Sequence, residues 1–129
     1  MNSPSENKQF VGRYLQALSG KEKTPELVAR FVSDRALAEH IHQAEEGFPS
    51  YEIVADDMIA ERDLVALRGS FRGIHRGAFA GIDATGRPVS AGLMIIYRIE
   101  GDRIVEHWMQ FDGAALMTQL THAQTARAS

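Results

Sequence analysis

Up to about residue 48 the apolar positions recur every three or four residues; from Tyr51 onward they alternate. Phe10, Tyr14, Ala17 and Leu18, with Val11 beside them, form one helical stripe. Ser3-Pro4-Ser5-Glu6 supplies an N-cap, a proline at N1 and a glutamate at N3, the signature of a capping box, and Ser19-Gly20 ends the helix. Thr24-Pro25 opens a second helix by the same logic, carrying Leu27, Val28, Phe31 and Val32. Asp34 is the predicted cap of a third, running to about Glu46 with Gly47 at its C′ position.

Beyond Phe48-Pro49 the pattern predicts strands over 51–60 and 64–75, joined by the polar turn Glu61-Arg62-Asp63. Gly73, Gly77, Gly81 and Gly86 then mark a strand end and a loop closing at Thr85-Gly86-Arg87-Pro88. Residues 89–100 and 103–112 form a hairpin about Gly101-Asp102. Residues 114–120 suit a short closing helix, and 121–129 lack periodicity and are expected to be a flexible tail. Helices followed by an antiparallel sheet predict an α+β domain with helices on one face of a curved sheet, spanning 1–129 with its core over about 5–120.

Composition narrows the function classes. Hydrophobic residues at 44% and charged residues at 24% are ordinary for a globular chain and argue against disorder. A net charge of −3 leaves no basic excess for a phosphate backbone, so nucleic acid is not an expected partner. With no cysteine, disulfides, thiolate nucleophiles and thiolate-bound zinc are excluded. The opening MNSPSENKQF has no apolar stretch of the secretory kind, and no run is long enough to span a bilayer. The cytoplasm, with no membrane partner, is the expected address.

Three stretches carry a family resemblance. Gly73-Ile74-His75-Arg76-Gly77-Ala78-Phe79-Ala80-Gly81, followed by Thr85-Gly86-Arg87, resembles the G-x-H-x-G-x-F-x-G loop and downstream T-G-K/R of the SnoaL-like polyketide cyclases, a branch of the nuclear-transport-factor-two-like superfamily. Residues 97–108, ending in Glu106-His107-Trp108, are similar to that family's strand–turn–strand ending in E-H-W. Asp112 with Leu116 and Gln119-Leu120 is similar to its strand-end aspartate and short helix. Order and spacing agree from about Asn7 to Leu120. The resemblance implies a conical, highly curved sheet with N-terminal helices closing a pocket. It also implies homodimers through the outer sheet face, and an acid/base role for the aspartate that Asp112 matches.

Strict alternation places Ile104, Glu106, Trp108, Gln110 and Asp112 on one face of the last strand, and Val105, His107, Met109 and Phe111 on the other. The first set is the expected pocket face. Asp112 reads either as an enclosed acid/base carboxylate or as the cap of the last helix. Trp108 reads as a cavity wall or a core tryptophan, and Gln110 as a neutral donor to a carbonyl or an exposed strand-end residue. His75, before the glycine-rich loop, would polarise a carbonyl or orient Asp112, or else bond a loop carbonyl. His40 shares a helical face with Leu37, Ile41 and Ala44 and is the better pocket candidate on the third helix. Met94, Ile96 and Phe71 are expected to shape the cavity. His107 falls in the outer, dimer-facing layer unless a bulge re-aims it.

No metal is expected, because His40 and His42 diverge at i, i+2, and no phosphate loop or Ser-His-Asp elbow is present. The expected function is therefore cofactor-free acid/base catalysis next to a carbonyl, of aldol-cyclisation or isomerisation type, with Asp112 and His75 as the catalytic pair. Epoxide hydrolysis has less support, since only Asp112 and Glu106 stand out as carboxylates on the last strand. The alternative is a non-catalytic dimeric domain that binds a small apolar ligand in its pocket.

Overall fold

Helix α1 (Pro4–Leu18) opens with the expected capping box: Ser3 Oγ accepts from the Glu6 N–H at 3.1 Å, and the Glu6 carboxylate accepts from the Ser3 N–H at 2.9 Å. Its stripe buries Phe10, Val11, Tyr14, Leu15 and Leu18. Thr24 caps the short α2 (Pro25–Ala29), and Asp34 caps α3 (Arg35–Gly47). The last helix, α4 (Gly113–Ala128), runs past the expected end at Leu120. The computed structural model describes residues 2–128, with side chains through Thr121. The expected flexibility of 121–129 falls largely outside the described side chains.

Strands β1 (Glu52–Glu61), β2 (Leu64–Ile74), β3 (Pro88–Glu100) and β4 (Arg103–Phe111) form one antiparallel sheet in the order β1-β2-β3-β4. Here the expected cone is corrected: the sheet is open and is not strongly curled. Closure would require the two edge strands to pair with each other. Instead the β4 edge is occupied by the chain between α2 and α3, through a parallel bridge of Val32 to Ile104.

One face of the sheet carries the core. Along β3, Val89, Ala91, Leu93, Ile95, Tyr97 and Ile99 are buried, while Ser90, Gly92, Met94 and Ile96 between them are exposed. Val65, Leu67 and Phe71 of β2 lie in the same core, which the buried residues of α1, α3 and α4 complete. Each fully buried side chain of this kind contributes about 1.5–3 kcal/mol.

Two bulges break the alternation. In β1, Asp56 is the extra residue between Ala55, paired with Gly69, and Asp57, paired with Arg68. Gly69 is needed there, because a Cβ would stand 2.1 Å from the Val54 carbonyl oxygen. In β4, Ile104 pairs with Ile99 and Glu106 with Arg98, so Val105 is the extra residue.

Candidate active site

The Val105 bulge decides which side chains of β4 meet the helices. Ile104 is fully buried on the inner face. The inserted Val105 shifts the phase by one, so His107, Met109 and Phe111 follow Ile104 inward, while Glu106, Trp108 and Gln110 point away. The bulge is braced from outside the sheet. The Ser33 and Asp34 N–H groups both donate to the Ile104 carbonyl, at 2.8 and 3.1 Å, and the Ile104 N–H donates to Phe31 O at 2.7 Å.

That docking brings Asp34 against His107. One carboxylate oxygen of Asp34 caps α3, accepting from the Ala36 and Leu37 N–H groups at 3.0 and 3.2 Å. The other lies 2.6 Å from His107 Nδ1. Both side chains are largely buried, at 9% exposure for His107 and 12% for Asp34. Burial pushes the Asp34 carboxyl up, but the His107 hydrogen bond and the two cap bonds outweigh it and hold the group below the ordinary carboxylate range. With Nδ1 engaged by Asp34, His107 Nε2 is bonded to no other described residue. The His40 ring stands edge-on to His107, centroids 5.7 Å apart.

Between α3 and the inner sheet face lies a cavity of about 180 Å³. Asp34 and His107 are not among its lining residues, but His40, in ring contact with His107, and Tyr97, the cross-strand partner of His107, are. Its walls are mainly apolar: Leu37, Ile41 and Ala44 of α3, Phe48, Phe71, Leu93, Ile95, Met109, Phe111 and Leu116. His40 and Gln43 are its exposed polar members. Three buried tyrosines, Tyr14, Tyr51 and Tyr97, also line it. Phe79, from the glycine-rich loop, packs on Phe48 with ring centroids 5.1 Å apart and completes one wall. Gly77 lets that loop close on α3: a Cβ there would meet the Glu46 carbonyl oxygen at 2.0 Å.

The residues singled out from the sequence separate into groups. Phe71 and His40 line the cavity. Trp108, Gln110, Met94 and Ile96 instead share a shallow depression on the opposite face with Ile59. Trp108 is 45% exposed there, with the Arg98 guanidinium 5.5 Å over its ring. Asp112 is exposed and caps α4, its Oδ1 accepting from the Ala115 N–H at 3.0 Å. It borders an open groove with Asp56, Arg68, Met94 and Gln110.

His75 is fully buried behind Phe48 and is not among the cavity-lining residues. Its Nδ1 accepts from the Thr85 N–H at 3.2 Å, which places the ring proton of the neutral form on Nε2. That Nε2 has no partner among the described residues.

The three tyrosines, with His40 and Gln43, form the polar part of the cavity lining, and the Asp34–His107 pair adjoins it through His40 and Tyr97. The sequence pattern pointed to no chemical role for Asp34, His107 or the tyrosines. One signal was available. The set His107, Met109, Phe111 is more apolar than Glu106, Trp108, Gln110, Asp112, and the more apolar set belongs inside. Among the described residues no group of three or more His, Asp or Glu is arranged to hold a metal, and no helix is long and apolar enough to cross a membrane.

Comparison with known proteins agrees with this architecture. AclR from Streptomyces galilaeus superposes with a TM-score of 0.78 at 22% identity, over 93% of this chain and 83% of that one. TsrD from Streptomyces laurentii gives 0.74 at 24% identity, over 93% and 98%. A SnoaL-like polyketide cyclase from Agrobacterium tumefaciens gives 0.70 at 18% identity, over 93% and 99%. At these identities the likeness is one of fold. Among curated proteins no sequence matches. The family model described as SnoaL-like polyketide cyclase matches residues 9–120, nearly the whole of the chain, and on that match the protein belongs to the SnoaL-like family.

Proposed function

We propose that the protein transfers a proton at carbon next to a carbonyl, in a reaction of aldol-cyclisation or isomerisation type. His107 is the base and Asp34 its positioning residue. The observation that carries this reading is the 2.6 Å Asp34–His107 pair, in contact through His40 and Tyr97 with the lining of an apolar cavity. A carboxylate on Nδ1 fixes the tautomer that leaves Nε2 as the acceptor, and it stabilises the imidazolium that forms. Tyr97 is the cross-strand partner of His107, so the two side chains stand next to each other on the inner face. In this arrangement Nε2 takes the proton from the carbon and the carbonyl becomes an enolate. The imidazolium then returns the proton, either to the alkoxide formed when the enolate carbon attacks a second carbonyl, or to another carbon of the conjugated system. The proton balance closes without a co-reactant.

Asp112 and His75 take supporting parts in this reading, Asp112 as the cap of α4 and His75 as the anchor of the 76–87 loop. The test is exchange of the methyl protons of acetophenone for deuterium, followed by NMR. The expected result is exchange above the buffer rate, falling by roughly 100-fold or more in His107→Gln and remaining within about twofold in Asp112→Asn, as for substitutions away from the reacting atoms. Loss of exchange in Asp112→Asn with retention in His107→Gln would move the chemistry to the opposite face. A protein that binds apolar ligands without any exchange would be a ligand-binding domain.

The same reading includes a homodimer through the outer sheet face. Ile59, Met94, Ile96 and Trp108 are exposed together there, an apolar patch of the kind that marks an interface. Sedimentation at micromolar concentration is expected to give a dimer, and a monomer would remove this part.

A further inference from the structure

Tyr14, Tyr51 and Tyr97 are each buried to within a few per cent, at 5%, 6% and 3% exposure, yet none of their hydroxyls bonds another described residue. Buried phenols ordinarily find a partner, since an unpaired one loses its bond to water. All three line the same cavity, and none is a sealed, unsatisfied atom of the His75 Nε2 kind. Their hydroxyls therefore keep access to open space, and the cavity is the space they share. They also stand close together. The Tyr14 and Tyr97 rings are edge to face at 5.8 Å, and Tyr51 is near enough that a charge on Tyr14 is felt at it and its own charge is felt at Tyr97.

Burial, followed by the influence of the neighbouring phenols on Tyr51 and Tyr97, holds these groups above the ordinary tyrosine range. They remain protonated donors through the working pH range. No lysine or arginine lines the cavity among the described residues. The Lys23 ammonium lies 4.0 Å over the Tyr51 ring and is already engaged, by the carbonyls of Tyr51 at 2.6 Å and Lys21 at 2.9 Å and by the Glu45 carboxylate at 3.4 Å. A carboxylate or phosphate entering here would lose its hydration without gaining a cation. Size sets a second limit. A dry apolar cavity of about 150 Å³ holds one benzene ring, and this one, at about 180 Å³, has room for a ring and a short substituent.

We infer that the cavity selects a neutral, single-ring compound whose carbonyl or enol oxygen is held by the hydroxyls of Tyr14, Tyr51 and Tyr97, and that it excludes carboxylates and fused polycyclic ketones from its interior. This names the substrate class of the site and rests on the proton-transfer reading. With the oxygen on Tyr97, the carbon beside the carbonyl is brought towards His107, its cross-strand neighbour.

The test is calorimetric titration of the intact protein with acetophenone, with ethylbenzene as the analogue lacking oxygen, with benzoate as the charged analogue and with a tetracyclic ketone. Acetophenone is expected to bind at least roughly tenfold more tightly than ethylbenzene, because the latter leaves buried donors unpaired. Benzoate and the tetracycle are expected to give no heat at the same concentrations. Tyr97→Phe and Tyr14→Phe should each weaken acetophenone about fivefold and leave ethylbenzene unchanged. Benzoate binding as well as acetophenone, a tetracycle competing with it, or equal losses for both neutral ligands in the Tyr→Phe variants would each overturn the inference.

His107→Gln separates this inference from the reading beneath it. Acetophenone binding unchanged in that variant, with no deuterium exchange by the unaltered protein, would leave oxygen recognition standing and remove proton transfer. Exchange that depends on His107, with no discrimination between acetophenone and ethylbenzene, would do the reverse.

Discussion

The two faces of the sheet are built from the same strands and differ in nearly every physical respect. On the inner face, Ile104, Leu67 and Tyr97 are buried against the helices, with the Asp34–His107 pair and the cavity-lining phenols among the polar groups there. On the outer face, Met94, Ile96, Trp108 and Ile59 are exposed, among ion pairs such as Arg98 with Asp63 at 2.8 Å and with Glu106 at 3.0 Å. Outer charges are solvated, and their pairing is worth little. The inner pair is largely buried, where desolvation makes its partners count for more. In β4 a single residue, Val105, determines which set is which.

Removing that residue is the harshest way to break the comparison. Deleting Val105 restores strict alternation and drives either Ile104 or the set His107, Met109 and Phe111 to the wrong side. The expected cost exceeds about 4 kcal/mol, a large fraction of the stability of a small domain, and should appear as loss of a cooperative urea transition. A deletion variant that melts like the unaltered protein would remove the bulge from the account.

A milder comparison sets one apolar residue of each face against the other. Leu67, 2% exposed, should cost about 2–5 kcal/mol on replacement by alanine. Ile59, 71% exposed, should cost less than about 0.5 kcal/mol under conditions where the protein is monomeric. Urea denaturation of Leu67→Ala and Ile59→Ala measures both.

The pH dependence sharpens the inner face further. Because the folded Asp34 carboxyl is held below its ordinary value, its contribution is complete above the unfolded value, about 3.9, and is lost as pH falls through the lower folded value. Asp34→Asn keeps a good N-cap but not the charge facing His107. It is expected to lower stability by about 1–2 kcal/mol at neutral pH, with the gap to the unaltered protein closing in acid below about pH 4. A gap that persists at low pH would assign the loss to packing. The smallest effect belongs to the outer face: Trp108→Phe should change ligand affinity by less than about twofold, since the ring is on the far side of the sheet from the cavity.

The elements of the fold were legible because their signals are local. Ser3, Thr24 and Asp34 cap the helices they were expected to cap, and the four strands lie within a residue or two of their predicted bounds. Sheet closure was not legible, because it depends on whether β1 and β4 pair with each other, and the Val32–Ile104 bridge that occupies the β4 edge leaves no mark in either segment. The cavity lining was legible only in part: Phe71 and His40, expected at a pocket, line it, whereas Trp108, Gln110 and Met94, expected there too, lie on the opposite face. Asp34 and His107, central to the proposed chemistry, were expected to serve as a helix cap and an outer-layer residue. Asp34 and His107 are 73 residues apart, and the bulge that lets them meet looks in sequence like one more apolar residue in a strand. The glycine-rich motif was visible; Gly77 in it serves close approach to α3, while Gly81 and Gly86 take positive φ in open space.

The inner face of β4, which carries His107, Met109 and Phe111, has a direct reporter in the methionines. The chain has five, of which Met109 lines the cavity and also borders the outer depression, while Met94, on the neighbouring strand and 58% exposed, borders the outer depression and not the cavity. Titrating acetophenone into protein carrying carbon-13-labelled methionine methyl groups should move the Met109 resonance progressively and leave that of Met94 in place. Movement of Met94, with or without Met109, would place the ligand on the outer face and contradict the account.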